Sequence, residues 1–194
     1  MHIDKGFLSC RGVTLIELLV ALSVLSILLA VGVPSFSQFT ENTRLNSYAN
    51  TMFSHMMLAR SEAIKRNTRV AICKSLDGSA CASSGDWGQG WAVFVDLDNN
   101  ASIGSGEQVI ATASALPTDF SFFGNCNISD YISYDGQGMT KLTSGGFQVG
   151  TFTLCPPDSA AVAGNGREIK LNLAGRVRTV KITSCPINPP DCSP

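Results

Sequence analysis

The sequence is short of histidine and of charge, and neither sign of charge dominates. Of 194 residues only two are His, 15% are charged, and the formal net charge is −1. His2 lies in the first dozen residues and His55 in a helical stretch, so there is no Cys/His cluster and no CxxC pair to hold zinc. The same scarcity removes a Ser/His/Asp set, and neither a nucleotide-binding glycine loop nor a convergent pair of acids appears. An enzyme is therefore not expected, and no cofactor is implied. A net charge near zero argues against a generally basic nucleic-acid binder, while leaving room for a local basic patch. No small-residue cleavage site follows the apolar N-terminal stretch, so an ordinary secretory signal is not expected.

What the N-terminus does have is a run of 21 almost wholly apolar residues from Val13 to Val33. As a helix, it spans about 30 Å, enough to cross a bilayer core. Lys5 and Arg11 form a positive flank expected to stay cytoplasmic. Glu17 breaks the run. An acid at mid-bilayer costs about 2.5–3.5 kcal/mol, less near the end of the span, so it asks for a function and a cationic partner. A cut after Gly12 would create one, the free amine of Val13 on a neighbouring subunit.

The segment Arg11-Gly-Val-Thr-Leu-Ile-Glu-Leu18 resembles the type IV prepilin processing motif. That resemblance implies cleavage after Gly12 by a membrane-embedded prepilin peptidase, N-methylation of the new terminus, and Glu17 at mature position five. Val13 departs from the Phe usual at the first mature position. Pro34 stands where such helices commonly kink, and it interrupts backbone hydrogen bonding there. Beyond it, Phe36, Phe39, Leu45, Tyr48, Ala49, Met52, Phe53, Met56, Met57, Ala59, Ala63 and Ile64 recur at spacings of three and four, which predicts an amphipathic helix to about residue 66. His55 is expected to be a packing or surface residue. Leu58-Ala-Arg-Ser-Glu-Ala-Ile-Lys-Arg-Asn67, Arg69-Val-Ala-Ile-Cys73 and Gly90-Trp-Ala-Val-Phe-Val-Asp96 resemble the GspH/FimT family of minor pilins and minor pseudopilins.

From residue 68 onward, strand and turn signals alternate. Strands are expected at 69–74, 91–96, 107–112, 120–123, 131–134, 147–154, 167–173 and 177–183. The fold class is α+β: a long N-terminal transmembrane and amphipathic helix packed on an antiparallel β-sheet domain, with two sheets implied by the resemblance. The expected organisation is a leader at 1–12, a membrane and assembly half-helix at 13–33, an amphipathic half-helix at 34–67 and a disulfide-bonded β domain at 68–194. Seven cysteines are an awkward number for an exported protein, and removing the leader takes Cys10 and leaves six. An oxidising compartment such as the periplasm follows. Cys73–Cys81 and Cys185–Cys192 are close in sequence, which leaves Cys126–Cys155. Six cysteines allow about fifteen connectivities, and sequence alone does not choose. Asp96, Asp98, Asn99 and Asn100 invite a calcium reading but lack the glycine and distal Glu of an EF-hand loop, so they are read as a strand-ending turn with no metal.

Residues 165–181 hold Arg167, Lys170, Arg176, Arg178 and Lys181 against one acid, Glu168. Arg176 and Arg178, two apart, share a face of a regular strand, and two guanidiniums on one face suit phosphates. Gly175-Arg-Val-Arg178 is similar to a Gly-Arg-x-Arg motif of the FimT branch, which ties the motif to DNA binding during natural transformation. The plainer reading is a charged hairpin that keeps a sheet edge soluble. No aromatics interleave the patch, so any DNA binding should be sequence-independent and salt-sensitive. Three functions compete: a structural minor pilin that initiates a type IV pilus or sits at its tip, the same scaffold as a DNA receptor, and a minor pseudopilin of type II secretion. The implied partners are other pilins or pseudopilins, the prepilin peptidase, an inner-membrane assembly platform and, in the second reading, DNA. The expected location is the bacterial inner membrane as a single-pass protein with a periplasmic domain, then the pilus or pseudopilus.

Overall fold

The computed structural model describes residues 12–156 and 166–185. One long helix, α1 (Leu15–Arg66), precedes eight strands: β1 (Val70–Lys74), β2 (Trp91–Val95), β3 (Val109–Ala113), β4 (Ser121–Gly124), β5 (Tyr131–Tyr134), β6 (Gly150–Cys155), β7 (Arg167–Leu171) and β8 (Val177–Lys181). All eight expected strands form, with ends that differ from expectation by up to three residues. Two short 3-10 turns, Trp87–Gln89 and Cys126–Ile128, were not foreseen. The chain divides into two compact units, residues 1–40 and 41–194.

The first unit holds the start of α1. Thr14 caps it: its carbonyl accepts from the Leu18 amide at 3.1 Å and its hydroxyl from the Glu17 amide at 3.3 Å. Every residue from 12 to 33 is exposed. The helix assignment continues through Pro34, where the imino nitrogen has no hydrogen to give.

The second unit is built around the rest of α1. Leu45, Ala49, Met52, Met56, Ala59 and Ala63 follow one another at four, three, four, three and four residues, and each is at most 1% exposed. The buried stripe is narrower than the sequence pattern suggested. Phe36 and Phe39 belong to the first unit and are exposed, as are Met57 and Ile64 in the second. The helix ends in a Schellman turn: Asn67 takes positive φ, its amide bonds the Ile64 carbonyl, and the Thr68 amide bonds that of Ala63.

Two four-stranded antiparallel sheets share this core, in the orders β3-β2-β1-β5 and β4-β6-β7-β8. Val70, Ile72, Val93, Ile132 and Tyr134 of the first sheet meet Phe122, Phe152, Leu154, Ile169 and Leu171 of the second and the helix stripe in one cluster. The first sheet is also covered on its outer face, where Ala71, Cys73 and Phe94 pack under Cys81, Ile103 and Val109. That is why β1 and β2 are buried at every position rather than at alternate ones.

Disulfides secure both layers. Cys73 is joined to Cys81, pinning the loop after β1 onto that outer face. Cys155 is joined to Cys185, which corrects two expected pairs, Cys126–Cys155 and Cys185–Cys192. The reason is strand order: β6 and β8 flank β7, so the end of β6 and the chain beyond β8 meet although thirty residues separate them. Cys126 is disulfide-bonded too. Cys10 and Cys192 are not among the described residues.

Candidate functional site

Two regions bear on function, the N-terminal motif and the β7–β8 hairpin. In the first, Gly12, Val13 and Thr14 precede the helix, and α1 begins at Leu15. The Gly12–Val13 bond therefore lies in non-helical, exposed chain, and a Cβ on Gly12 would meet nothing within 4 Å. Thr14 and Glu17 stand three apart, the spacing of a capping box, and a carboxylate in the first turn suits the positive end of the helix dipole. Sequence reasoning missed the capping role of Thr14, although the Thr-x-x-Glu spacing signals it. Glu17 makes no ion pair among the described residues.

Leu15–Val33 is 19 residues long with a mean hydropathy of 2.6, long and apolar enough to cross a membrane. Its hydroxyls are satisfied within the helix: Ser23 donates to the Leu19 carbonyl at 2.8 Å and Ser26 to that of Leu22 at 2.7 Å. Such internal bonding is what a lipid-facing helix requires.

In the hairpin, the five basic residues do not form one patch. β7 and β8 pair with Lys170 opposite Arg178 and Arg167 opposite Lys181. Directly opposed residues share a face and adjacent ones alternate, so Lys170 and Arg178 lie on one face, Arg167 and Lys181 on the other. Arg167 is turned inward and only 7% exposed; its Nε donates to Asn46 Oδ1 on α1 at 2.9 Å, and one terminal nitrogen donates to the Gly166 carbonyl at 3.0 Å. Burial lowers its pKa. It holds the hairpin to the helix and is not available to a ligand. An odd separation within one strand, as between Arg167 and Lys170, was the signal for this split.

Lys170, Arg176 and Arg178 remain together. With Leu171, Asn172 and Val177 they line an open hollow of about 400 Å³. Lys170 is paired with Glu168 at 2.8 Å. Arg176 and Arg178 are exposed, and neither guanidinium bonds another described residue. Lys181 is exposed on the other face.

The acidic turn after β2 is a closed backbone device. Asp96 is 1% exposed and accepts from the amides of Asn100 and Ala101 at 3.1 and 3.2 Å. Burial pushes its carboxyl up, against those amides and Arg69. Asp98 accepts from the amide and side chain of Asn100, and Glu107 takes the amides of Leu97 and Gly104 at 2.6 and 2.8 Å. Asp96, Asp98 and Glu107 approach within 4.8 Å of one another. Their oxygens are used to fold the loop, as a strand-ending turn requires. Asn99 donates to the Thr143 carbonyl.

The family model for the type II transport protein GspH matches residues 48–175, and that for the prokaryotic N-terminal methylation motif matches residues 8–33. The pilin-like protein PilA1 of Thermus thermophilus is 32% identical over 102 residues. That match takes in 53% of this chain and 58% of the relative, so the chain spans little more than half the relative's length. The type IV minor pilin FimU of Pseudomonas aeruginosa superposes with a TM-score of 0.56 at 20% identity, over 80% of this chain and 99% of that one. In a second crystal form FimU gives 0.54 at 19% identity, over 77% of this chain and all of FimU. FimU shares the fold: an N-terminal helix packed on antiparallel sheets. The GspH match covers well over half the chain, and the methylation motif lies where the apolar helix starts; the chain belongs to the GspH family of minor pilins and pseudopilins.

Proposed function

We propose that this chain is a structural minor pilin of a type IV pilus, cut after Gly12 by a prepilin peptidase and carried as a single-pass protein in the bacterial inner membrane. The domain from residue 41 would stand in the periplasm, and the assembled subunit would initiate the pilus or occupy its tip. One observation carries the reading: an exposed, non-helical Gly12–Val13 bond directly ahead of a capped, almost wholly apolar helical stretch with one acid in its first turn. An exposed, non-helical bond is open to a peptidase, and an all-round apolar helix needs lipid or other helices around it. Glu17 is assigned to pairing with the Val13 amine of an adjacent subunit, which removes the cost of a lone carboxylate in lipid. In cells making pili, Glu17→Val should leave insertion and leader removal intact and reduce the subunit in sheared filaments by at least about tenfold, the worth of one ion pair of roughly 1.4 kcal/mol. Normal incorporation of that variant would sink the assignment. The family's type II transport description supports the alternative, a minor pseudopilin. Deleting the gene separates the two: loss of surface pili supports the pilin, loss of protein secretion with normal pili supports the pseudopilin.

The hollow supports a second role for the same subunit, binding the phosphate backbone of DNA. Arg176 and Arg178 present guanidiniums that bond no other described residue on an exposed face beside Lys170, the arrangement that phosphates favour. The test uses the full mature chain in an uncharged detergent with a short DNA duplex across a salt series. Affinity should fall with salt, and Arg176→Ala/Arg178→Ala should flatten the log–log salt slope by about two, one for each phosphate no longer engaged. A parent chain that binds no DNA at low salt ends this reading and leaves the first untouched.

A further inference from the structure

Two sequence motifs far apart in the chain meet at one point, the Gly138 carbonyl. On one side is Arg60 of α1, within the 58–67 segment; its Nε donates to that oxygen at 2.9 Å. On the other is Gly175, the glycine of the Gly-Arg-x-Arg run. A Cβ there would overlap the Gly138 oxygen and come within 3.1 Å of the Tyr134 ring and 3.2 Å of Arg60 Nε. Gly175 also has φ +69°, so both space and backbone demand glycine. Gly138 is equally confined: φ is +75° and a Cβ would press on Ile64 Cδ1 at 2.7 Å.

The hairpin turn is held at further points. The Gly175 amide donates to the Asn172 carbonyl at 3.0 Å, and the Arg176 amide to Asn172 Oδ1 at 2.9 Å. The fully buried Thr140 hydroxyl donates to the Gln148 carbonyl at 2.5 Å and packs its oxygen 3.2 Å from the Asn172 carbonyl. Asp135 braces the opposing turn, its Oδ1 accepting from the amides of Gln137 and Met139. A hairpin end is ordinarily among the more mobile parts of a sheet. Here its inner side is locked to the helix through the 135–140 turn, while the side chains of Arg176 and Arg178 stay outside.

We propose that Arg60, acting through the Gly138 carbonyl on Gly175, is a positioning residue for the basic hollow. The glycine of the Gly-Arg-x-Arg run then serves packing, not ligand binding, and the hollow meets phosphate already ordered. This rests on the DNA reading for its ligand, but the clamp itself is measurable without one.

The discriminating change is Arg60→Lys, which keeps the charge and puts a methylene where Nε–H donates. In the full mature chain in uncharged detergent, amide hydrogen exchange at Gly175 and Arg176 should speed up by about tenfold, while the β6–β7 ladder stays protected. Affinity for a short DNA duplex at fixed salt should fall several-fold although no charge is lost. Gly175→Ala should show the same pattern from the other side of the clamp. Unchanged exchange at Gly175 and Arg176 in Arg60→Lys overturns the proposal. So does faster exchange with undiminished affinity in a chain that binds DNA. If the parent binds no DNA, the DNA reading falls, and the exchange result alone decides whether Arg60 holds the turn.

Discussion

The two stretches of α1 belong to one continuous helix and meet opposite fates. Leu15–Val33 is apolar on every side and wholly exposed. Leu45–Ala63 is apolar along one stripe, and that stripe is wholly buried against two sheets. Both the amount of apolar surface and its distribution around the helix separate them: the first stretch has only Glu17, Ser23 and Ser26 as polar side chains, whereas polar side chains make up much of the second outside its stripe. A helix that is apolar all round cannot be satisfied by one domain on one side, and it needs lipid or other helices. A stripe at spacings of three and four is satisfied by its own domain. Hydroxyls turn back on the helix in both stretches, Ser23 and Ser26 in the first and Thr51 and Ser61 in the second. Among the described residues, only in the second do longer side chains, Asn46 and Arg60, meet partners beyond the helix, Arg167 and Gly138.

Truncation should expose this difference most strongly. Met52 is fully buried within the stripe, and Met52→Ala removes its packing and leaves a cavity, costing about 4 kcal/mol of domain stability. Leu25→Ala, in the exposed stretch, should change domain stability by less than about 0.5 kcal/mol. Denaturant melts of the two variants in detergent, followed by tryptophan fluorescence, make the comparison, since both tryptophans lie in the domain core. Equal losses would show that the two stretches are stabilised together, and the contrast would fail.

The disulfides sharpen the contrast from the domain side. In the chain-entropy account, losing Cys155–Cys185, which closes a segment of thirty residues, costs about 3.5 kcal/mol, and losing Cys73–Cys81 about 2.5 kcal/mol. Paired Cys→Ala changes, melted as above, should rank in that order. Neither should alter membrane insertion of Leu15–Val33. Impaired insertion in either variant would tie the first stretch to the domain.

How far each region could be read from sequence follows the same line. The apolar run and the strands were legible because their signals are local: period, length, and turn residues such as Asp135-Gly136 and Ala174-Gly175. The covering of the first sheet on its outer face was not, because the loops that supply Cys81 and Ile103 have no period of their own. The partner of Cys155 depended on β7 lying between β6 and β8, a fact of topology that spacing does not contain. The basic hairpin was half legible. Arg176 and Arg178 were rightly placed together, at the edge of the same hollow. The inward turn of Arg167 follows from strand parity, but Asn46, the group that receives it, lies on α1, 121 residues away.

The smallest of the expected effects is also the most local to α1. His55 lies on the buried half of the helix, where its Nδ1 accepts from Trp91 Nε1 at 2.9 Å and its ring meets the Trp91 ring edge-on. That bond requires an unprotonated Nδ1, and partial burial lowers the pKa of His55 below its ordinary 6.5. The unfolded chain therefore takes up a proton at a pH where the folded one does not. The stability that His55 contributes is present in full above pH 6.5 and is lost as pH falls from there through the lowered folded-state value. Domain stability measured between about pH 7.5 and 5 should decline in the parent, and His55→Gln should flatten that decline, since Asp96, whose carboxyl burial pushes up, is common to both chains and cancels in the comparison. His2 precedes the proposed cut after Gly12, so the chain that cut would leave has no second histidine to confuse the result. A decline that persists unchanged in His55→Gln would assign the pH response to another group, and the domain half of α1 would then be as indifferent to protons near neutrality as its apolar half.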